Sequence, residues 1–211
     1  MTGILLFDYW RSSASYRVRI ALNLKGVDYQ AVPTSLLAGE QRNEDYLARN
    51  PQGLVPMLHI DGVDISQSLA IIDYLDARFP EPRLIPADPL ERATALAFAQ
   101  VIAADIHPLN NLRVLKYLKR QMGQEQDAID DWYRHWVAEG FAALEAMAPD
   151  SGFLGGDAPN VADVFLVPQM YNARRLETPL DACPRLVRID AALNGIETIA
   201  AAAPERVKPD E

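Results

Sequence analysis

The sequence predicts an α/β domain followed by an all-helical one. Three observations carry this. Short apolar runs alternate with amphipathic stretches as far as Phe79, four prolines crowd into residues 80–89, and from Leu90 onward the apolar pattern repeats only at helical spacing. The proline-rich stretch reads as a stiff connector, so the domains are expected at 1–83 and 84–211.

Taken in order, Ile4–Phe7 reads as a buried strand. Val18, Ile20, Ala21 and Leu24 then share one face of a helix that Lys25-Gly26 closes. Val27–Val32 reads as a second strand, and Asn43–Arg49 as a short helix ended by Asn50-Pro51 and Gly53. The runs flanking Asp61-Gly62 make a hairpin, with Pro56 opening its first strand. Ser66-Gln67-Ser68 starts a helix with Leu69, Ile72, Leu75 and Phe79 on its apolar side, stopped by Pro80. The expected order is therefore βαβαββα. In the second half, Ala93–Met122 is one periodic stretch interrupted at His107-Pro108, and Ile129–Met147 is another. Trp132, Trp136, Phe141 and Leu144 are expected in its core, since large aromatics dominate core burial. Asn160-Val161-Ala162-Asp163 is a capping-box-like helix start, which gives Asp163 a structural role.

Composition excludes several classes. Hydrophobic residues make up 49%, ample for a core, and only Pro204–Glu211 has the composition of a disordered segment. No apolar run approaches the roughly 18 residues of a membrane helix, and no signal peptide is read at the start, so a cytoplasmic location is expected. The single Cys183 excludes an internal disulfide and a cysteine-based metal site. The formal charge of −9 argues against nucleic acid as a partner. His59, His107 and His135 lack zinc-motif spacing, so no metal is expected.

The stretch Trp10-Arg11-Ser12-Ser13-Ala14-Ser15-Tyr16-Arg17 delivers three hydroxyls to a helix start, where unpaired N–H groups and the dipole favour an anion. One serine would be an ordinary cap; three beside an arginine point to an anion-stabilising turn.

Ser-Ser-x-Ser-x-Arg-Val-Arg-Ile-Ala-Leu, Asn-Pro…Val-Pro and Gln-Ser-Leu-Ala-Ile-Ile resemble the zeta class of glutathione transferases, in order, from about Leu5 to about Pro184. The resemblance implies a thioredoxin-like domain that binds glutathione, an all-α substrate domain, a cis peptide at Val55-Pro56 and a homodimer. It makes the anion the glutathione thiolate, with Ser12 as the activating hydroxyl and Ser13 and Ser15 as supporters or caps. It also gives Gln67 and Ser68 the γ-glutamyl carboxylate, Val55 the cysteinyl backbone and Gln41 the glycyl end. His107, Asn111 and Arg113 fall where the class contacts glutathione or substrate. The bland readings of these residues are a plain cap at Gln67-Ser68, core packing for Val55, a solvated Gln41, a kink-filling His107 and a surface Arg113. Residues 107, 110, 111 and 113 recur near one face, as in a kinked helix lining a cleft. By alignment Arg175 faces the site and Arg174 lies outside. Where the class usually has cysteine, this chain has Ala14, so chemistry needing a protein thiol there is not expected.

Arg11, Arg113 and Arg175 beside one activated thiol suit a substrate with two anionic ends. The implied reaction is glutathione-dependent cis–trans isomerisation of a maleyl keto acid, maleylacetoacetate or maleylpyruvate, to its fumaryl isomer in aromatic catabolism. The alternatives are a transferase that consumes glutathione on small α-halo acids, and a non-catalytic binding protein on the same fold.

Overall fold

The computed structural model describes residues 3–209, which form two compact units. The first runs to Leu84 and is rejoined by the chain from Gly195 on; the second is Ile85–Asn194. The sequence placed everything from Leu84 onward with the helices. The return of the C-terminal segment to the first unit instead rests on long-range hydrogen bonds, Arg19 Nε to Ala202 O and Asn23 Nδ2 to Thr198 O, each 3.0 Å.

In the first unit β1 (Leu5–Asp8), α1 (Ser13–Leu24), β2 (Gln30–Pro33), α2 (Glu44–Arg49), β3 (Met57–Ile60), β4 (Val63–Ser66) and α3 (Ser68–Arg78) follow in the expected order. The strands lie side by side as β2-β1-β3-β4, with β1 and β2 parallel and the other pairs antiparallel. Leu6, Leu58, Val18, Ile20, Ala21, Ile72 and Leu75 are fully buried, so the helices cover the sheet with the middle of the stripes read from their spacing; Leu24, Leu69 and Phe79 at the ends are only half-buried, and Ile71 joins the core instead. The second strand is shorter than read from sequence. Val27 N–H is taken by Leu22 O at the end of α1, and pairing starts only at Gln30, whose N–H reaches Ile4 O. The Val55-Pro56 peptide is cis.

The register puts one consequence in place. Met57 pairs with Phe7 and with Ser66, and Pro33 with Asp8. The C-terminal ends of β1, β2 and β4 and the N-terminal end of β3 therefore share one edge of the sheet. Four segments leave from that edge: the serine turn, the 34–42 loop, Val55-Pro56 and Gln67-Ser68.

The chain after Gly195 is helical at α9 (Glu197–Ala200), where Ile199 is buried, and the tail expected to lack structure, Pro204–Glu211, forms α10 (Pro204–Val207) with Pro204 buried; Asp210 and Glu211 lie outside the described residues.

The second unit contains α4 (Pro89–Gln100), a π-helical turn (Val101–Ile106), α5 (Leu112–Arg120), α6 (Gln126–Met147), α7 (Val161–Arg175) and α8 (Pro184–Asn194). Its core stripe on α6 is Ile129, Tyr133, Val137, Phe141 and Leu144. The expected Trp132 and Trp136 stand beside that stripe and are only half-buried. An indole N–H needs an acceptor, and Trp132 finds one at Leu109 O, 3.0 Å away. Gly140 lets α6 pass close to the π turn, for a Cβ there would lie 2.3 Å from Ile106 Cδ1.

Candidate active site

The serine turn is built as a helix start. Ser12 is the N-cap of α1, and its Oγ accepts from Ser15 N–H at 3.2 Å. That bond uses a lone pair, so the Ser12 O–H proton stays available to a further acceptor. Ser12 is half-buried, whereas Ser13 is buried and Ser15 is fully enclosed. Ser15 thus supports Ser12 through its backbone N–H and has no surface to offer a ligand. Arg11 is exposed, its guanidinium 5.4 Å from the Trp10 ring centroid.

At the start of α3, Gln67 holds φ 73°, a left-handed value that an L residue rarely takes, and its side chain makes no cap bond. Its amide donates instead to Gln52 Oε1 at 2.8 Å. The first intrahelical bond is Ile71 N–H to Gln67 O, so the N–H groups of Ser68, Leu69 and Ala70 point out of the helix with no partner among the described residues. Ser68 Oγ accepts from Arg17 Nη1 at 3.3 Å. Val55 is half-buried, and neither its N–H nor its C=O is bonded among the described residues. Gln41 sits in a 3-10 turn, Glu40–Arg42, with its Oε1 buried and unpartnered. A helix start, an open backbone pair and a buried acceptor on one sheet edge fit an extended peptide carrying a carboxylate. Glutathione is such a peptide.

In the second unit the segment read as one kinked helix is instead broken and restarted. His107 N–H bonds Ile102 O, five residues back, closing the π turn, and Pro108 then offers no N–H. Asn111 begins a fresh helix, its Oδ1 capping Arg113 N–H at 3.1 Å. Residues 107, 110, 111 and 113 therefore do not share a helical face, and Asn110 is buried with its Nδ2 on Tyr133 O at 3.2 Å. Arg113 and Arg175 are exposed and without a carboxylate partner among the described residues. Arg174, by contrast, is ion-paired to the buried Asp190, which holds it to the helical core. Trp132 and Tyr133 bond the 109–110 segment, and Arg134 Nε bonds Leu176 O at 2.9 Å, so the start of α5 and the end of α7 are fastened to the same turn of α6. Among the described residues no group of His, Cys, Asp and Glu side chains could hold a metal ion, and no helix is long and apolar enough to cross a membrane.

Sequence reasoning missed Arg17 and Arg19. Both are buried, and the signal available was two cations set among residues that otherwise repeat as a helix core.

Known proteins resemble this chain in sequence and in fold. The family described as glutathione S-transferase, N-terminal domain, matches residues 6–83, and its C-terminal domain counterpart matches 126–189. The maleylacetoacetate isomerase of Rhizobium meliloti (strain 1021) is 50% identical over 208 residues, 97% of this chain and 98% of that one. A solved holo structure of maleylpyruvate isomerase, described as a bacterial zeta-class glutathione transferase, superposes with a TM-score of 0.93 at 39% identity, over 98% of this chain and 100% of that one. This chain belongs to the zeta class of glutathione transferases. A further neighbour, the maleylacetoacetate isomerase of Anaeromyxobacter dehalogenans 2CP-1, is 40% identical with a TM-score of 0.86, over 99% of this chain and 97% of that one. That structure holds dicarboxyethyl glutathione and citrate in its active site.

Proposed function

We propose that this zeta-class chain is a glutathione-dependent cis–trans isomerase that converts a maleyl keto acid, maleylacetoacetate or maleylpyruvate, to its fumaryl isomer. The observation that carries the reading is the Ser12 hydroxyl, which caps α1 through its oxygen and keeps its proton to donate at the positive end of the helix. When bound, glutathione supplies a thiolate nucleophile that adds reversibly to the cis double bond and is regenerated. The chain's own part begins with making that thiolate. A thiol of pKa about 8.5 is mostly protonated at neutral pH, and each unit of lowering requires about 1.4 kcal/mol of preference for the anion. One hydroxyl bond to a charged acceptor contributes about 1.5–3 kcal/mol and a helix start up to about 1 kcal/mol more. Ser12 and α1 together therefore suffice to make the thiolate dominant.

Gln67, Ser68 and the open N–H groups at the start of α3 hold the γ-glutamyl carboxylate, Val55 pairs with the cysteinyl backbone, and Gln41 takes the glycyl end. Ser68→Ala removes one charge-assisted bond, and the KM for glutathione is expected to rise about tenfold with kcat little changed. Steady-state kinetics with glutathione varied checks this. Arg11, Arg113 and Arg175 bind the two acidic ends of the substrate and stabilise charge that develops beside the reacting bond, with His107 and Asn111 as further polar contacts. The three arginines have no carboxylate partners among the described residues, which supports this role. The dicarboxyethyl glutathione held by the Anaeromyxobacter relative supports it too, since that ligand joins a thioether to two carboxylates. A cytoplasmic homodimer is part of the same proposal, on the resemblance to the class.

The deciding experiment follows the loss of maleylpyruvate and maleylacetoacetate absorbance with glutathione far below the substrate concentration. Turnover well beyond the glutathione supplied, yielding the fumaryl isomer, is expected. Arg175→Ala is expected to cut kcat/KM about 10- to 100-fold. Consumption of one glutathione per product would instead point to conjugation, as on α-halo acids.

A further inference from the structure

Arg19 lies in α1, 1% exposed, and makes contacts that helix packing does not require. All three guanidinium nitrogens are engaged. Nη1 donates to both carboxylate oxygens of Asp8 at 2.8 Å, Nη2 to Trp10 O at 3.0 Å, and Nε to Ala202 O at 3.0 Å. Asp8 ends β1, and Trp10 stands two residues before Ser12. The neighbouring carbonyl, Tyr9 O, accepts Ser12 N–H at 2.8 Å. Two successive carbonyls of the turn are thus fixed, one by Ser12 itself and one by Arg19. Ala202 belongs to the segment that returns from the far end of the chain, and that segment makes two more ties. Asn23 Nδ2 on α1 donates to Thr198 O at 3.0 Å, and Lys208 Nζ lies 5.8 Å from the Trp10 ring centroid. A buried ion pair adds little net stability over apolar packing of the same volume, but it fixes geometry, because every donor and acceptor must keep its partner.

We propose that Arg19 is a positioning residue for Ser12, and that the C-terminal segment from Gly195 acts through Arg19 and Trp10 as a strap that holds the serine turn in the geometry that ionises glutathione. The inference rests on the glutathione reading above. Loosening the strap leaves the Ser12 hydroxyl in place but poorly aimed. The cost then falls on the thiolate, not on glutathione affinity alone.

The test titrates the thiolate of bound glutathione by its ultraviolet absorbance, and follows turnover against pH, in the full-length chain. Arg19→Lys keeps the charge but cannot reach three acceptors. Asn23→Ala with Lys208→Gln cuts two exposed ties, leaves the core intact and covers the case in which the Arg19 variant does not fold. In either variant the thiol pKa is expected to rise by about half a unit to one unit, so that turnover at neutral pH falls about three- to tenfold and converges on wild type at high pH. Variants that melt earlier yet keep the wild-type titration and pH profile would overturn the strap while leaving the glutathione reading intact. A wild-type complex that does not ionise glutathione would overturn both.

Discussion

Ser12→Ala is expected to lower turnover at neutral pH about 10- to 100-fold, the loss of one hydroxyl bond to a thiolate. The deficit should shrink as pH rises, because above the free thiol's pKa of about 8.5 the nucleophile forms without help. A pH–rate profile of isomerisation, alongside thiolate titration of the glutathione complex, measures both. The same substitution removes the α1 cap at Ser15 N–H, so stability should fall by about 1 kcal/mol. Thermal unfolding separates that loss from the catalytic one. Unchanged neutral-pH turnover would assign the thiolate to another donor, with Ser13 next along the helix start. Ser15 is not a candidate, since its side chain is fully enclosed. Ala14 lends no thiol to the turn, so on the proposed reading the activating group there is a hydroxyl.

The parts of this site that were legible in the sequence are those that local rules govern. The βαβαββα order follows from apolar periodicity and the breakers between runs, and the register of four short strands brings the serine turn, Val55 and Gln67-Ser68 to one edge. The parts that were not legible depend on distant partners. Arg17 and Arg19 look like surface residues until Ser68 is seen to bind the first and Asp8 and Ala202 to neutralise and bind the second. Trp132 and Trp136 were read as core for their size, yet the α6 stripe that faces inward starts from Ile129 and Tyr133, and the indoles stand at its margin. His107-Pro108 announced a disturbance in the helix but not its form. A π turn absorbs the proline on one side, and Asn111 recaps on the other. The tail gave little sign of order because Ile199 and Ala202 precede the stretch whose composition looked disordered, and within that stretch the buried anchor is Pro204, a residue that composition counts as a breaker.

Asp163→Ala is expected to damage folding before chemistry. The carboxylate is 1% exposed and accepts three backbone N–H groups, from Leu154 and Gly155 at 2.9 Å and from Asn160 at 3.0 Å. The Asn160 bond is one half of the capping box of α7; the other two pin the loop ahead of it. Losing the acceptor of all three bonds at once should cost about 3 kcal/mol at neutral pH. Burial pushes the Asp163 carboxyl up to about 6, against the lowering by those N–H groups. The folded state therefore holds a proton that the unfolded state releases near its ordinary value of 3.8. Its stabilising contribution is fully present below about pH 4 and is lost as pH rises through about 6. Two pKa units correspond to about 3 kcal/mol, so the stability gap between wild type and Asp163→Ala should widen by up to that amount on acidification from neutral to about pH 4. Denaturant unfolding at the two pH values reads the gap directly. A gap that narrows on acidification would mean that the backbone donors outweigh burial and hold Asp163 ionised. In the fraction that folds, the KM for glutathione should match wild type, because none of the groups proposed to hold glutathione lies in the 154–163 segment.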